Sequence, residues 1–351
     1  MDHILNIGAA DADLAVGGRV KQPERLQTIE ALRGLAALAV TWFHLTNQYH
    51  GGLARGSGAY GWLGVDAFFV ISGFVIPYSL HSAGYQFGNF FRFVAKRMIR
   101  LEPPYLASIG LVIFLGFASN LAPGFRGQPQ VTSTLGLAAH LLYLVPLTPY
   151  QWLNPVYWSL AYEFAFYLIV GLLFPLLWPR RLVFTLSAGF LILATRYVVV
   201  QTWDPQPLLF LYGITSARFF VGKDKLWEFA LGVFAILIVM SVSGAALISV
   251  VGLATAAAIV WVRIPVWPPL RFLGIISYSL YLTHVPIGGR VINLGRRFIQ
   301  GPWQELLLSV AALTVSLVCA WLFYRIVEVG STRLSKRFSL QHVHLPAQSS
   351  F

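Results

Sequence analysis

Residues Glu30–His44 read EALRGLAALAVTWFH. The stretch is apolar except at Glu30, Arg33, Thr41 and His44, so it reads as a membrane helix that carries a cation and an imidazole. Arg33 and His44 are eleven residues apart, a net rotation of roughly 20°, so both point to one face. Along the axis they stand about 16 Å apart at 1.5 Å per residue. Ionisable groups are costly in lipid, and those retained there usually mark a pathway or a reaction site.

The rest of the chain shares this character. Its 351 residues are 57% hydrophobic and 11% charged, and the mean hydropathy is +0.68. A soluble domain carries about a quarter charged residues. The apolar runs recur to the end, which predicts an all-α integral membrane protein with one polytopic domain over residues 26–328. The net charge of +12 does not point to nucleic acid, because the basic residues sit between apolar runs, as loop anchors beside membrane lipids do. Cys319 is the one cysteine and lies in an apolar run, which excludes a disulfide framework and a cysteine metal site. Residues 1–25 hold three Asp before the first Arg and no signal-type apolar core, so they read as a flexible cytosolic tail. Residues 329–351 read as a second, basic cytosolic tail.

Candidate spans are 28–46, 61–80, 103–119, 134–149, 155–178, 182–200, 226–241, 244–262, 271–289 and 304–325. The fourth is short and ends in Pro146 and Pro149. If it crosses, 16 of the 25 Lys and Arg fall on the side of the termini and seven on the other; if not, the split is 12 to 11. The bias towards a basic cytosolic face therefore predicts about ten crossings with both termini in the cytosol. Residues 201–225 hold LLFLYGI, too short to cross, and read as a re-entrant or interfacial piece.

Several polar residues in the spans carry candidate chemistry. His44 and Asp66 are expected at similar depth near the outer ends of the first two spans. A carboxylate that orients an imidazole and stabilises its cation makes a general base; the other reading is a structural pair knitting two helices. Arg33 lies one turn after Glu30, as a site cation or a snorkelling anchor. In RFVAKRMIRLEPPYL, Arg97 and Arg100 share a helix face at the cytosolic mouth, either as a bidentate phosphate clamp or as an ordinary basic cluster. Glu163 in NPVYWSLAYEFAFYL has no nearby cation in sequence and needs a partner from another helix or a neutral state. Tyr157 and Trp158 beside it are substrate-contact or interfacial-belt candidates. In RFLGIISYSLYLTHVPI, Ser277, Tyr281 and His284 form a polar stripe, with Tyr281 and His284 as substrate-contact candidates and interhelical bonding as the alternative. His140 reads as a core histidine. No phosphate-binding P-loop, GxSxG or HExxH motif occurs, and the membrane histidines lack companions at metal spacing.

Five segments in order resemble the membrane-bound acyltransferase family 3: LQTIEALRGLAALAVTWFH with its R-x10-H, GWLGVDAFFVISGFVI, RFVAKRMIRLEPPY with its R-x-x-R, VYWSLAYEFAFYL and ISYSLYLTH. The likeness runs from about residue 26 to 328. It implies a ten-helix inner-membrane enzyme that takes an acyl group, usually acetyl, from cytosolic acyl-CoA to a hydroxyl of a carbohydrate, glycoconjugate or other small acceptor. Under it, Arg33 and His44 match the R-x10-H pair, Arg97 and Arg100 the R-x-x-R pair, Glu163 the acid of the fifth span and Asp66 that of the second. Some members carry a fused SGNH-type domain after the core, and the expectation here is a member without one. The competing expectations are a proton-coupled transporter or flippase of a small polar or lipid-linked substrate, and a sensor whose polar residues only pack helices. A transporter commonly shows a repeated half, and this sequence shows none.

Overall fold

The computed structural model describes residues 24–121, 133–200, 204–265 and 267–337, with the side chains of 24–26 and 195–200 left aside. Most of the two expected tails, 1–25 and 329–351, lies outside these residues. Every regular element among the described residues is helical. In chain order they are α1 (Glu24–Thr46), α2 (Gly52–Gly58), α3 (Gly64–Ser82), α4 (Phe90–Asn120), α5 (Thr134–Leu141), α6 (Tyr157–Leu177) and α7 (Leu182–Val200). There follow α8 (Leu209–Phe220), α9 (Leu226–Val242), α10 (Ala246–Trp261), α11 (Pro268–Gly295), α12 (Pro302–Phe323) and α13 (Val329–Lys336).

The exterior is apolar and polar groups are inside. Phe114, Phe117, Leu176, Leu191 and Leu307 face outward, whereas Asp66, Ser108, Arg218, Ser277 and His284 are buried. That inversion suits lipid as the surrounding solvent, where internal hydrogen bonds must satisfy each polar group. Among the described residues, four helical stretches are long and apolar enough to cross a membrane: Gly52–Ser82, Phe87–Asn120, Tyr157–Leu177 and Pro302–Lys336.

Small residues set the packing. On α1, Gly34 meets Gly274 of α11, where an added Cβ would lie 2.8 Å from the Gly274 nitrogen. The two helices run parallel, since the next contact along the seam joins His44 to His284. Without a hydrophobic drive between helices in lipid, such close backbone contact supplies the attraction. Gly61 packs on the Ala39 carbonyl and Gly64 on that of Ala36, so α3 runs antiparallel to α1.

One expectation about the spans is corrected, and a second segment is resolved as a helix. The run 134–149 holds only the eight residues of α5, about 12 Å of helix against a hydrocarbon layer of about 30 Å. Its His140 Nε2 accepts from the Leu153 amide at 2.9 Å and Tyr105 reaches its carbonyl at 3.1 Å, so the segment packs against the middle of α4. The stretch 201–225, expected to be a re-entrant or interfacial piece, contains α8, a 12-residue helix buried along nearly its whole length beside α3. It is entered through one helical turn at Gln206–Leu208. Thr215, Ser216 and Arg218 interrupt its hydropathy. Their polar atoms are satisfied internally: Thr215 bonds the Leu211 carbonyl at 2.8 Å, Ser216 that of Tyr212 at 2.8 Å, and Arg218 pairs with Asp224.

Candidate functional site

A polar cavity of about 110 Å³ lies where α1, α3, α4, α6 and α11 meet the segment Tyr324–Glu328. Arg33 enters it from α1, Arg97 and Arg100 from α4, and Glu163 and Tyr167 from α6. Ser72 of α3 and Tyr278 and Tyr281 of α11 complete its polar lining. Glu328 arrives through a five-residue π-turn at the end of α12. Such turns add a residue to the helix and re-aim a side chain, which is why they recur at functional sites.

The cavity binds its carboxylates with hydroxyls rather than with its cations. Ser72 donates to Glu163 Oε1 at 2.7 Å and Tyr167 donates to the same oxygen at 2.5 Å. Ser279 donates to Glu328 Oε2 at 2.5 Å. Arg97 donates to Ser79 Oγ at 3.2 Å and lies 5.7 Å from the ring centres of Phe93 and Tyr167. Among the described residues, no ion pair within 4.0 Å ties Arg33, Arg97 or Arg100 to a carboxylate. Three guanidiniums against two carboxylates give the cavity an excess of positive charge, and an anionic group with several oxygens fits their forks.

Arg218 shows what a structural arginine looks like in the same fold. Its guanidinium forks onto Asp224 through two bonds of 2.7 Å and donates to the carbonyls of Trp178 and Arg180 at 2.9 and 2.8 Å. Its donors tie the turn between α8 and α9, through Asp224, to the turn between α6 and α7.

His44 sits apart from this cavity, at the far end of α1. Its ring centre is 5.2 Å from that of His284, a fully buried residue of α11. Tyr281 links the two regions: it lines the cavity, and its ring centre lies 6.0 Å from that of His284. Its hydroxyl is held by Ser159 at 2.6 Å and the Val156 carbonyl at 3.1 Å. Two buried polar atoms on this seam, Thr41 Oγ1 and His284 Nε2, have no hydrogen-bond partner among the described residues.

The expected His44–Asp66 pair is not formed. The α1–α3 register puts Asp66 level with about residue 34 of α1, roughly 15 Å along the axis from His44. The reason is α2, which folds back between the two helices so that α3 begins beside the middle of α1. Asp66 Oδ1 instead accepts from Gln206 Nε2 at 3.5 Å, next to Asp204, which receives the Tyr162 hydroxyl at 2.5 Å.

The other sequence candidates divide clearly. Arg33, Arg97, Arg100, Glu163 and Tyr281 converge on one cavity. Tyr157 is fully buried and bonds Ser108 at 2.7 Å, and Trp158 packs on Phe69 and Tyr162. Both ring nitrogens of His140 are taken, by the Gly136 carbonyl and the Leu153 amide. Sequence reasoning missed Ser72, Tyr167, Tyr278 and Glu328 as cavity residues. Glu328 had a signal, an acid closing the apolar run VCAWLFYRIVE. A larger cavity of about 370 Å³ opens between α6, α7 and α8, with walls such as Pro77, Phe166, Leu193 and Phe210. It lacks charged groups, so its size does not make it the reaction site.

Residues 26–325 match the profile of an acyltransferase domain family. The chain is 30% identical over 307 residues to BcsY of Komagataeibacter xylinus, named as a membrane-bound transacylase, covering 75% of this chain and 72% of that one. It is 25% identical over 388 residues to the O-acetyltransferase OatA of Staphylococcus aureus strain MRSA252, covering 95% of this chain and 61% of OatA. In strain NCTC 8325 the figures are 25% over 366 residues, 88% and 58%, so the chain spans about three fifths of the OatA proteins it matches. No solved structure matches it. The profile covers most of the chain in the order of the five segments above, and the chain belongs to the membrane-bound acyltransferase family 3, as an acyl-transferring enzyme of the membrane.

Proposed function

We propose that this protein moves an acyl group, acetyl in the first instance, from cytosolic acyl-CoA to a hydroxyl of a carbohydrate or glycoconjugate, across a cell inner membrane that it spans ten times. The observation that carries this reading is the convergence of Arg33, Arg97 and Arg100 on one cavity without ion-pair partners. Guanidiniums kept in a membrane domain and left unpaired call for an anionic ligand, and the phosphates of CoA supply it. The relatives' names, transacylase and O-acetyltransferase, support the group transferred. Membership of an acyltransferase family weighs against the transporter reading.

The ten spans are α1, α3, α4, α6, α7, α8, α9, α10, α11 and α12, with α5 on the outer side. This exchange of α8 for residues 134–149 sharpens the charge asymmetry: 18 of the 25 Lys and Arg then fall at the end of the termini and five at the other. The bias supports cytosolic termini. It also puts Arg97 and Arg100 near the cytosolic face and His44 near the outer one.

In this scheme the phosphates of acyl-CoA dock on Arg97 and Arg100, with Arg33 beside them. The thioester extends along the α1–α11 seam, past Tyr281, towards His44. His44 takes the proton of the acceptor hydroxyl as that oxygen bonds to the thioester carbonyl carbon. The C–S bond breaks, the leaving thiolate takes the proton from the imidazolium, and ester and free CoA result. Base catalysis of this kind contributes about 10²–10⁴-fold.

The test is transfer of labelled acetyl from acetyl-CoA by the purified protein, with His44→Ala as control, alongside mass spectrometry of surface glycans with and without the gene. A mass shift of one acyl group, lost with His44→Ala, is expected. Unchanged glycans together with no consumption of acetyl-CoA would overturn the proposal.

A further inference from the structure

We infer that His284 is the positioning residue of His44, in the place the sequence suggested for Asp66. The inference rests on the reading of His44 as the base. His284 is fully buried on α11, and its Nδ1 lies 2.9 Å from the Leu280 carbonyl oxygen. A carbonyl only accepts, so Nδ1 carries the proton and Nε2 presents a lone pair. Among the described residues that lone pair has no partner. The ring of His44 lies beside this imidazole, at 5.2 Å between centres and tilted by 48°. An N–H···N bond of roughly 2.9 Å, plus a little over 1 Å from each nitrogen to its ring centre, spans about 5 Å. A turn of the His44 imidazole about its Cβ–Cγ bond therefore lets one of its N–H groups donate to His284 Nε2.

The arrangement has the logic of a base held from behind. His284 is sealed from substrate, whereas His44 is only partly buried. With one His44 nitrogen donating to His284, the tautomer is fixed and the other nitrogen offers its lone pair outward. When that nitrogen takes the acceptor's proton, the N–H···N bond to His284 strengthens against the imidazolium charge. No proton passes to His284. The clamp that makes this possible is the Leu280 carbonyl, one turn earlier on the same helix, so the tautomer of His284 is set by the backbone of α11 itself.

The test uses the full chain in detergent, acetyl-CoA as donor, glycerol as hydroxyl probe, and free CoA thiol as the readout. His284→Leu is expected to lower kcat by about 10–100-fold while KM for acetyl-CoA stays within about twofold. His284→Gln, whose Oε1 reaches the position of Nε2, is expected to restore a large part of that loss. A readout free of turnover accompanies it: the rate at which diethyl pyrocarbonate modifies His44, followed by peptide mass spectrometry. That rate is expected to fall several-fold in His284→Leu and to recover in His284→Gln. Unchanged kcat and unchanged His44 modification in His284→Leu overturn the inference. So does a loss that His284→Gln does not relieve, or one that tracks a lowered melting temperature. If His44→Ala itself turns over normally, the base reading fails, while the modification rates still report whether His284 orients His44.

Discussion

Tyr167 and Ser72, from α6 and α3, place their hydroxyl hydrogens on the same oxygen of Glu163, at 2.5 and 2.7 Å. The acid is thus held by two neutral donors inside a cavity whose cations stay clear of it. This separates its two contributions, hydrogen-bond acceptor and negative charge. Glu163→Gln keeps an acceptor oxygen for both hydroxyls and removes only the charge. Glu163→Ala leaves two buried hydroxyls without a partner, at a cost of about 1–3 kcal/mol each at most. The expected outcome in thermal unfolding is a clear loss for Ala and a small one for Gln. If the charge is needed for turnover, Glu163→Gln folds and fails in acetyl transfer, whereas equal destabilisation by both variants would contradict the hydrogen-bond account.

The arginines should divide by how their donors are used. Arg97→Ala and Arg100→Ala remove cations that no carboxylate pairs, so their expected effect is on the acyl donor. Charge-assisted bonds to phosphate are worth about 1.5–3 kcal/mol, so KM for acetyl-CoA should rise by about 10–100-fold with the protein still folded. Lysine at either place restores charge without the fork and should rescue only in part. Arg218→Ala behaves differently. It strands Asp224 in a buried site, which costs about 3–5 kcal/mol and should appear as loss of folded protein in size-exclusion profiles. A folded Arg218→Ala protein with raised KM, or misfolded Arg97→Ala, would reverse the assignment.

That Arg33, Arg97 and Arg100 share one end of the domain was legible in the sequence, because helix periodicity gives the face of each residue and the charge pattern its end, whereas the place of Glu163 beside them was left open. Periodicity says nothing about how far one helix slides along the next. Asp66 was misplaced for that reason: α2 takes up part of the chain between α1 and α3, and Gly61 and Gly64 then dock on Ala39 and Ala36. α8 was hidden by its own polar residues, which lower hydropathy yet are satisfied within the protein at Leu211, Tyr212 and Asp224. Glu328 reaches the cavity only because five residues at the end of α12 follow a π-turn, a backbone choice that the residues around it do not announce.

Because Asp66 lies roughly 15 Å from His44 along the helix axis, the two substitutions should part company. His44→Ala is expected to lower kcat by at least about 10²-fold. Asp66→Asn keeps the size of the side chain beside Gln206 and should leave kcat within about tenfold of the parent, its effect being on packing near Asp204. The check is a comparison of kcat at saturating acetyl-CoA. Equal losses in the two variants, with both proteins folded, would restore the His–Asp pair that the helix register argues against.

The ten-span reading can be tested at two turns that it assigns to opposite sides. Lys223 lies just past the end of α8, and Ser243 caps the end of α9. If α8 crosses, α9 returns to the outer face, so Ser243 is outside and Lys223 is inside with the basic end of the domain. Replacing Cys319, the one native cysteine, by Ser clears the background for single-cysteine variants at these positions. An impermeant maleimide added to intact spheroplasts is expected to label Ser243→Cys and to reach Lys223→Cys only after permeabilisation. If α8 only dipped into the membrane and came back, the pattern would invert, with Lys223→Cys labelled from outside and Ser243→Cys reached only after permeabilisation. The route from a cytosolic arginine cavity to an outward His44 would then lose the topology it depends on.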